Sequence, residues 1–226
     1  MPLNSMPHQI TNNPSRDELA ERVLHSAKEE FLEKGFVHAS LRHIVAKAGT
    51  TTMAIYSRFR NKEALFKALV NPVVEAWNEM FIDSLKHFDD LPDEKKEVYL
   101  MQTSHTSMLR LLDFVYEHFE TFQLLLDASY GTVFETFFDH AVDLEVEYTL
   151  RYMEAIGVAE QYKDDNLTML LHILASSFFS GFFEVVRHEM TYRQAKAYVE
   201  RLQVYHQAGF DTIFHPERYD DNGQQS

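Results

Sequence analysis

The amino-acid sequence predicts an all-α protein: an N-terminal three-helix unit followed by a larger helical body. Three observations carry this. Apolar residues recur at three- and four-residue spacing along almost the whole chain, no useful run alternates apolar and polar positions, and breakers are few, with 7 Gly and 6 Pro in 226 residues. A hydrophobic share of 45%, with 18 Phe and 11 Tyr, is enough to fill a sizeable core.

Residues 1–14 are expected to form a disordered tail. The first helix opens at Ser15, where Ser15-Arg16-Asp17-Glu18 has the capping-box pattern of a hydroxyl acceptor and a carboxylate reaching back. Leu19, Val23, Ala27 and Phe31 then share a face, and Gly35 supplies the exit. Ser40 should N-cap a short second helix with Leu41, Ile44 and Val45 inside, ended by Ala48-Gly49. A third short helix follows from Thr51, with Ile55 and Phe59 pointing inward. Asn61 caps a long fourth helix carrying Leu65, Leu69, Val73, Trp77 and Phe81. Pro72 should kink or split that helix, because its ring removes an amide and crowds the preceding turn.

Beyond Leu91-Pro92, longer helices are expected at 94–119, 121–129, 133–156, 165–190 and 192–214, punctuated by Gly131, Gly157 and the Met190-Thr191 boundary. Residues 216–226 are polar and expected to be a disordered tail. The expected division is a small unit at 15–70 and a body at 71–215.

Absence of cysteine excludes a disulfide framework, thiolate metal sites and a cysteine nucleophile, and fits a reducing cytosol. The first 13 residues carry no Lys or Arg and no apolar core, which disfavours a secretory signal. The most apolar stretch, 167–186, is interrupted by His172, three serines and Glu184, so it reads as a buried helix and a cytoplasmic location is expected. The net charge of −14 is unevenly placed: residues 35–70 carry Arg42, Lys47, Arg58, Arg60, Lys62 and Lys67 against Glu63 alone, a net +5, leaving −19 elsewhere. A cationic island on an anionic protein attracts phosphate locally, although a solvated helix face accounts for most short basic clusters. Twelve histidines raise the question of metal, yet no His-Glu-x-x-His or Glu-x-x-His spacing is present, and Asp139-His140-x-x-Asp143 is weak alone. No metal or cofactor is expected, and no nucleophile–base pair or phosphate loop marks an enzyme.

Two short helices around a tight glycine turn, flanked by basic and hydroxyl residues, make a helix-turn-helix on physical grounds. The run at 40–65, with Ala48-Gly49, the hydroxyl cap Thr51, Ile55-Tyr56, Phe59 and Asn61-Lys62-Glu63, resembles the TetR family of repressors, as does the preceding Phe31-Leu32-Glu33-Lys34-Gly35-Phe36. The match covers about 55 residues, 16–70. It departs at Met53, where the family often has a small residue such as Gly.

The resemblance implies DNA binding through Ser40, Arg42, Thr51, Thr52, Met53, Ala54, Tyr56, Arg58 and Lys62. Tyr56 and Lys62 would contact phosphate, whereas Thr52, Ala54 and Met53 would face base edges, with Arg42 available from the supporting helix. By the family's layout, the body would enclose a pocket for an unknown small molecule and pair with a second copy. Pocket linings are expected at His105, Met108, Leu112, Phe134, Phe138, His140 and His172, because Met and aromatics accommodate varied apolar ligands. Pairing is expected at Ser177, Phe178, Gly181, Phe182, Val185, Tyr198, Leu202 and Tyr205, since small residues allow close approach and four phenylalanines surround one helix. The alternative is a helix buried within one subunit. The function expected is a ligand-released repressor that binds palindromic operator DNA as a homodimer. The rival is a helix-turn-helix protein adaptor that has lost DNA binding, and an activator is also compatible with the sequence.

Overall fold

The computed structural model describes residues 16–162 and 166–219, and among these it contains nine α-helices and no strand. The expected tail at 1–14, the cap at Ser15 and residues 220–226 lie outside the described residues.

The helices are α1 (Arg16–His38), α2 (Leu41–Lys47), α3 (Thr52–Tyr56), α4 (Lys62–Asp89), α5 (Asp93–Glu117), α6 (Phe119–Asp127), α7 (Phe137–Ala155), α8 (Asn166–Arg187) and α9 (Tyr192–Phe214). Three of the starts follow side-chain chemistry. Thr51 Oγ1 accepts the Ala54 N–H, Asn61 Oδ1 accepts the Ala64 N–H, and Thr191 forms a reciprocal capping box with Gln194. Ser40 holds the N-cap position of α2, but its hydroxyl makes no cap bond.

Gly35 (φ 69°, ψ 166°) breaks α1 as expected, and a further turn to His38 follows it. Pro72 does not split α4, which runs unbroken for 28 residues, roughly 42 Å. The proline is exposed, so water can satisfy the carbonyl it leaves free, while Val70, Val73, Val74 and Trp77 are buried on both sides of it. α7 starts at Phe137 rather than 133, because the preceding residues are held in a turn. There Thr132 Oγ1 donates to Ser129 O and accepts the Phe134 N–H, while Glu135 accepts the Gly131 N–H. The start of the tail expected at 216–226 instead makes a 3-10 turn, Pro216–Arg218. Arg218 pairs with Glu97 and Asp211, and Tyr219 donates to Asp211.

One core runs through the molecule. Near the N-terminal end Phe31, Phe36 and Phe66 pack edge to face and stacked, with centroids 5.1–5.9 Å apart. In the body, Trp77 of α4 meets Phe122 of α6 at 5.4 Å and Phe183 of α8 at 5.6 Å. α4 therefore crosses the boundary expected at residue 70 and belongs to both packing regions. α8 is long and apolar enough by composition to cross a membrane, yet it packs against α6, α7 and α9 and buries eight side chains, Leu167 to Val186.

Candidate nucleic-acid interface and interior cavity

α2 and α3 are joined by a turn in which Gly49 takes φ 63°, a conformation strained for any side-chain-bearing residue. Across that turn Ile44 and Ile55 are buried against a core that includes Phe31, Phe59, Leu65 and Phe66. The inner faces of the two helices thus fix what their outer faces present.

α3 presents Thr51, Met53, Tyr56, Ser57 and Arg58 to solvent, with Thr52 and Ala54 half-buried behind them. Met53 is 82% exposed and Tyr56 52%, and their i,i+3 spacing places both on one face of a five-residue helix. Two large, partly apolar side chains thus stand in water side by side on this face. Arg42, Arg60 and Lys67 are exposed on the same unit.

Charged contacts brace the unit from behind. Glu30 accepts the Ser40 N–H at 3.0 Å and Lys34 at 2.9 Å, with His43 3.5 Å away. Burial alone would push the Glu30 carboxyl up, but Lys34, the Ser40 amide and His43 together hold it below its ordinary value. Lys47 pairs with Glu29 at 3.0 Å, and Arg58 reaches Asp17 of α1 at 3.2 Å.

Lys62, expected as a phosphate contact, is turned inward. Its Nζ donates to Val37 O at 3.0 Å and Ala39 O at 3.2 Å and lies 4.7 Å from the Phe36 ring centroid, and desolvation lowers its pKa. Those carbonyls lie where α1 ends and α2 has not begun, so they lack helical partners and draw the ammonium in. Ser40 is half-buried and contributes its backbone N–H to Glu30, whereas Arg42, Thr51, Met53, Tyr56 and Arg58 are exposed.

A cavity of about 650 Å³ opens among α4, α5, α7, α8, α9 and the C-terminal 3-10 turn. Of the expected lining residues only Met108 borders it. His105 stands beside it, with Nδ1 3.0 Å from Oε1 of the lining residue Gln203. The others fall elsewhere because their faces turn to different neighbours. Leu112 and Phe134 are core, the latter 6.2 Å from Phe66, and Phe138 packs on Phe183 at 4.1 Å. His140 is exposed, as is His172, which lies 3.9 Å from Asp143.

The cavity's polar lining includes residues not anticipated, among them Glu145, Tyr148 and Tyr152 on α7, and Gln203, His206 and Gln207 on α9. A signal for them exists in the sequence. Glu145 interrupts the apolar stripe of Ala141, Val142, Val146 and Met153, and Gln203 interrupts that of Ala195, Val199 and Phe214.

The residues expected to pair with a second copy need a similar correction. Phe182 and Val185 are buried by their own chain, at 1% and 0% exposure. Gly181 lies against Leu202 and Tyr198 of the same chain, and the Tyr198 hydroxyl donates to Gly181 O at 2.9 Å. Phe178 packs edge-on to His206 at 4.8 Å. The small residue thus serves close approach of α8 to α9 within one chain. Ser177 and Tyr205 are exposed, and the large apolar residues left outward on these helices include Met169, Leu170, Ile173 and Val204.

Residues 23–69 match the sequence model described as bacterial regulatory proteins, tetR family. The fold is similar to that of a TetR-like transcriptional regulator from Rhodococcus sp. RHA1, at 19% identity and TM-score 0.54, covering 91% of this chain and all of the other. A transcriptional regulator of the TerR/AcrR family from Aquifex aeolicus VF5 aligns at 18% identity and TM-score 0.48, covering 83% of this chain and 99% of the other. The helix-turn-helix at the head of the chain thus matches the tetR family of bacterial regulatory proteins, and the chain as a whole shares its all-helical fold with a TetR-like regulator.

Proposed function

We propose that the chain is a ligand-released transcriptional repressor whose homodimer grips a roughly palindromic operator through α3 of each copy. The observation that carries this is the outer face of α3: Met53 and Tyr56 stand in solvent on a helix fixed by a side-chain cap and a buried Ile55. A helix so held enters a major groove as a rigid reader. Tyr56 would donate to a phosphate, while Met53, Thr52 and Ala54 would meet base edges, the thioether suiting a thymine methyl. The region at 15–70 would grip DNA, and that at 71–215 would sense and pair, in the cytoplasm.

Pairing would use the outward sides of α8 and α9, where Met169, Leu170, Ile173, Val204 and Tyr205 are exposed. The effector would occupy the cavity. From there α4 leads to the DNA-binding unit. α4 carries the DNA-binding unit at Lys62 and lines the cavity with Phe81 to Phe88, roughly 29 Å further along the same helix. α6 holds α1 directly: Phe36 donates its N–H to Ala128 O at 2.9 Å, and Lys28 pairs with Glu120. An effector that favours a different placement of α4 by a few kcal/mol would move the two α3 helices out of groove register.

The test is a titration of duplex DNA, selected from a random pool, at several salt concentrations. Binding should weaken steeply with salt, as released counterions require. Tyr56→Phe should weaken all sequences by a similar factor of about 3 to 10, whereas Thr52→Ala should change the preferred bases. Equal effects from both would contradict the division of roles, and salt-independent binding would favour a protein adaptor.

A further inference from the structure

We infer that the cavity takes a lipophilic monocation, an apolar organic body bearing one ammonium-type charge, with Glu145 as its countercharge. The inference deepens the sensing half of the function proposed above and rests on that reading for its consequence at DNA.

The cavity's volume of about 650 Å³ suits a drug-sized molecule, and Phe81, Phe88, Phe178 and Phe210 give it aromatic walls. Its charges are arranged asymmetrically. At the mouth Glu97 and Asp211 are both answered by Arg218, each at 3.0 Å, and His215 stands 3.3 Å from Glu97. Glu145, on α7, has no cationic partner among the described residues, and burial raises its carboxyl to about 7. His206 on α9 does not supply the missing charge, because desolvation pushes its pKa down and keeps the ring neutral.

Polar atoms left open point the same way. Three buried side-chain polar atoms without a hydrogen-bond partner among the described residues, Tyr152 Oη, Gln203 Nε2 and Gln207 Nε2, belong to residues lining this cavity. Tyr152 and Gln203 are themselves 4% and 5% exposed. Unpaired polar groups of this kind are costly, and a ligand that meets them recovers part of that cost.

Charge then selects among ligands. An anion would sit beside an unanswered carboxyl in a low-dielectric space, and a neutral ligand would leave that carboxyl without a countercharge. A cation pairs with the ionised form, and the phenylalanine faces attract it further.

The experiment is calorimetric titration of the purified full chain at pH 7.5 with three probes sharing one decyl tail: decyltrimethylammonium, decanol and decanoate, all below micelle-forming concentrations. The cation should bind at least about tenfold tighter than the alcohol, with decanoate weakest. Glu145→Gln should bring cation and alcohol to within about threefold of each other, whereas Glu94→Gln, an exposed carboxylate outside the cavity, should preserve the margin. Decanol or decanoate binding as tightly as the cation, a margin that survives Glu145→Gln, or no binding by any probe would each overturn the inference. The titration contains no DNA. Loss of the cation margin with operator binding intact therefore removes the ligand class alone, and a preserved margin without operator binding removes the regulator reading alone.

Discussion

Met53→Glu is expected to weaken binding to operator DNA by about 100-fold or more while leaving the fold intact. The side chain is 82% exposed and touches none of the buried core, so an exposed substitution there should change stability by no more than about 0.5 kcal/mol. At the DNA surface the same change sets a carboxylate against base-edge acceptors and the phosphate field, and like-charge juxtaposition costs several kcal/mol, each 1.4 kcal/mol being about tenfold. Fluorescence anisotropy with the selected duplex, alongside thermal denaturation, reads both quantities. Unimpaired binding in a folded Met53→Glu protein would mean that α3 does not face the duplex.

Trp77→Ala should cost about 3–5 kcal/mol, lowering the melting temperature by on the order of 10 °C. The indole is fully buried at the middle of α4, surrounded by Phe114, Phe122, Phe137, Phe182 and Phe183, with ring centroids 5.4–6.4 Å away. Removing it leaves a void in the helix shared by the DNA-binding unit and the body, so both should lose stability in one transition. Trp77→Phe should cost less, because it retains an aromatic ring and discards an indole N–H that has no partner among the described residues. Urea denaturation compares the two variants. A Trp77→Ala protein as stable as the parent would show that α4 does not carry the core in this way.

The N-terminal unit was legible in the sequence because its structure is set locally. Caps at Thr51 and Asn61, a left-handed Gly49 and the inward pattern of Ile44, Ile55 and Phe59 each depend on neighbours a few residues away. Where a long-range contact decides, the reading was less complete. Lys62 looks like a surface lysine until α1 brings the carbonyls of Val37 and Ala39 to it, and Ser40 holds the cap position of α2 without a hydroxyl bond while Glu30, ten residues away, accepts its amide.

The body was harder for the same physical reason. Its helices are apolar on more than one face, so periodicity says that a residue is buried but not which neighbour buries it. Phe182 and Val185 fill their own chain's core, and Phe134 and Phe138 pack on rings rather than line the cavity. The residues that do line it, Glu145 and Gln203, are polar breaks in apolar stripes, a weak signal until five helices surround one space. Pro72 illustrates the converse case. Its local penalty is real, yet tertiary packing on both sides carries α4 through it.

Everything proposed for DNA depends on α3 lying in a major groove, twice per dimer. The most direct measurement is dimethyl sulfate footprinting of the selected duplex, which reads guanine N7 in the major groove and adenine N3 in the minor groove. The proposed docking gives protected N7 positions in two patches about one helical turn apart, or a multiple of it, with adenine N3 still reactive between them. A single patch, protection confined to adenine N3, or no protection at saturating protein would contradict it.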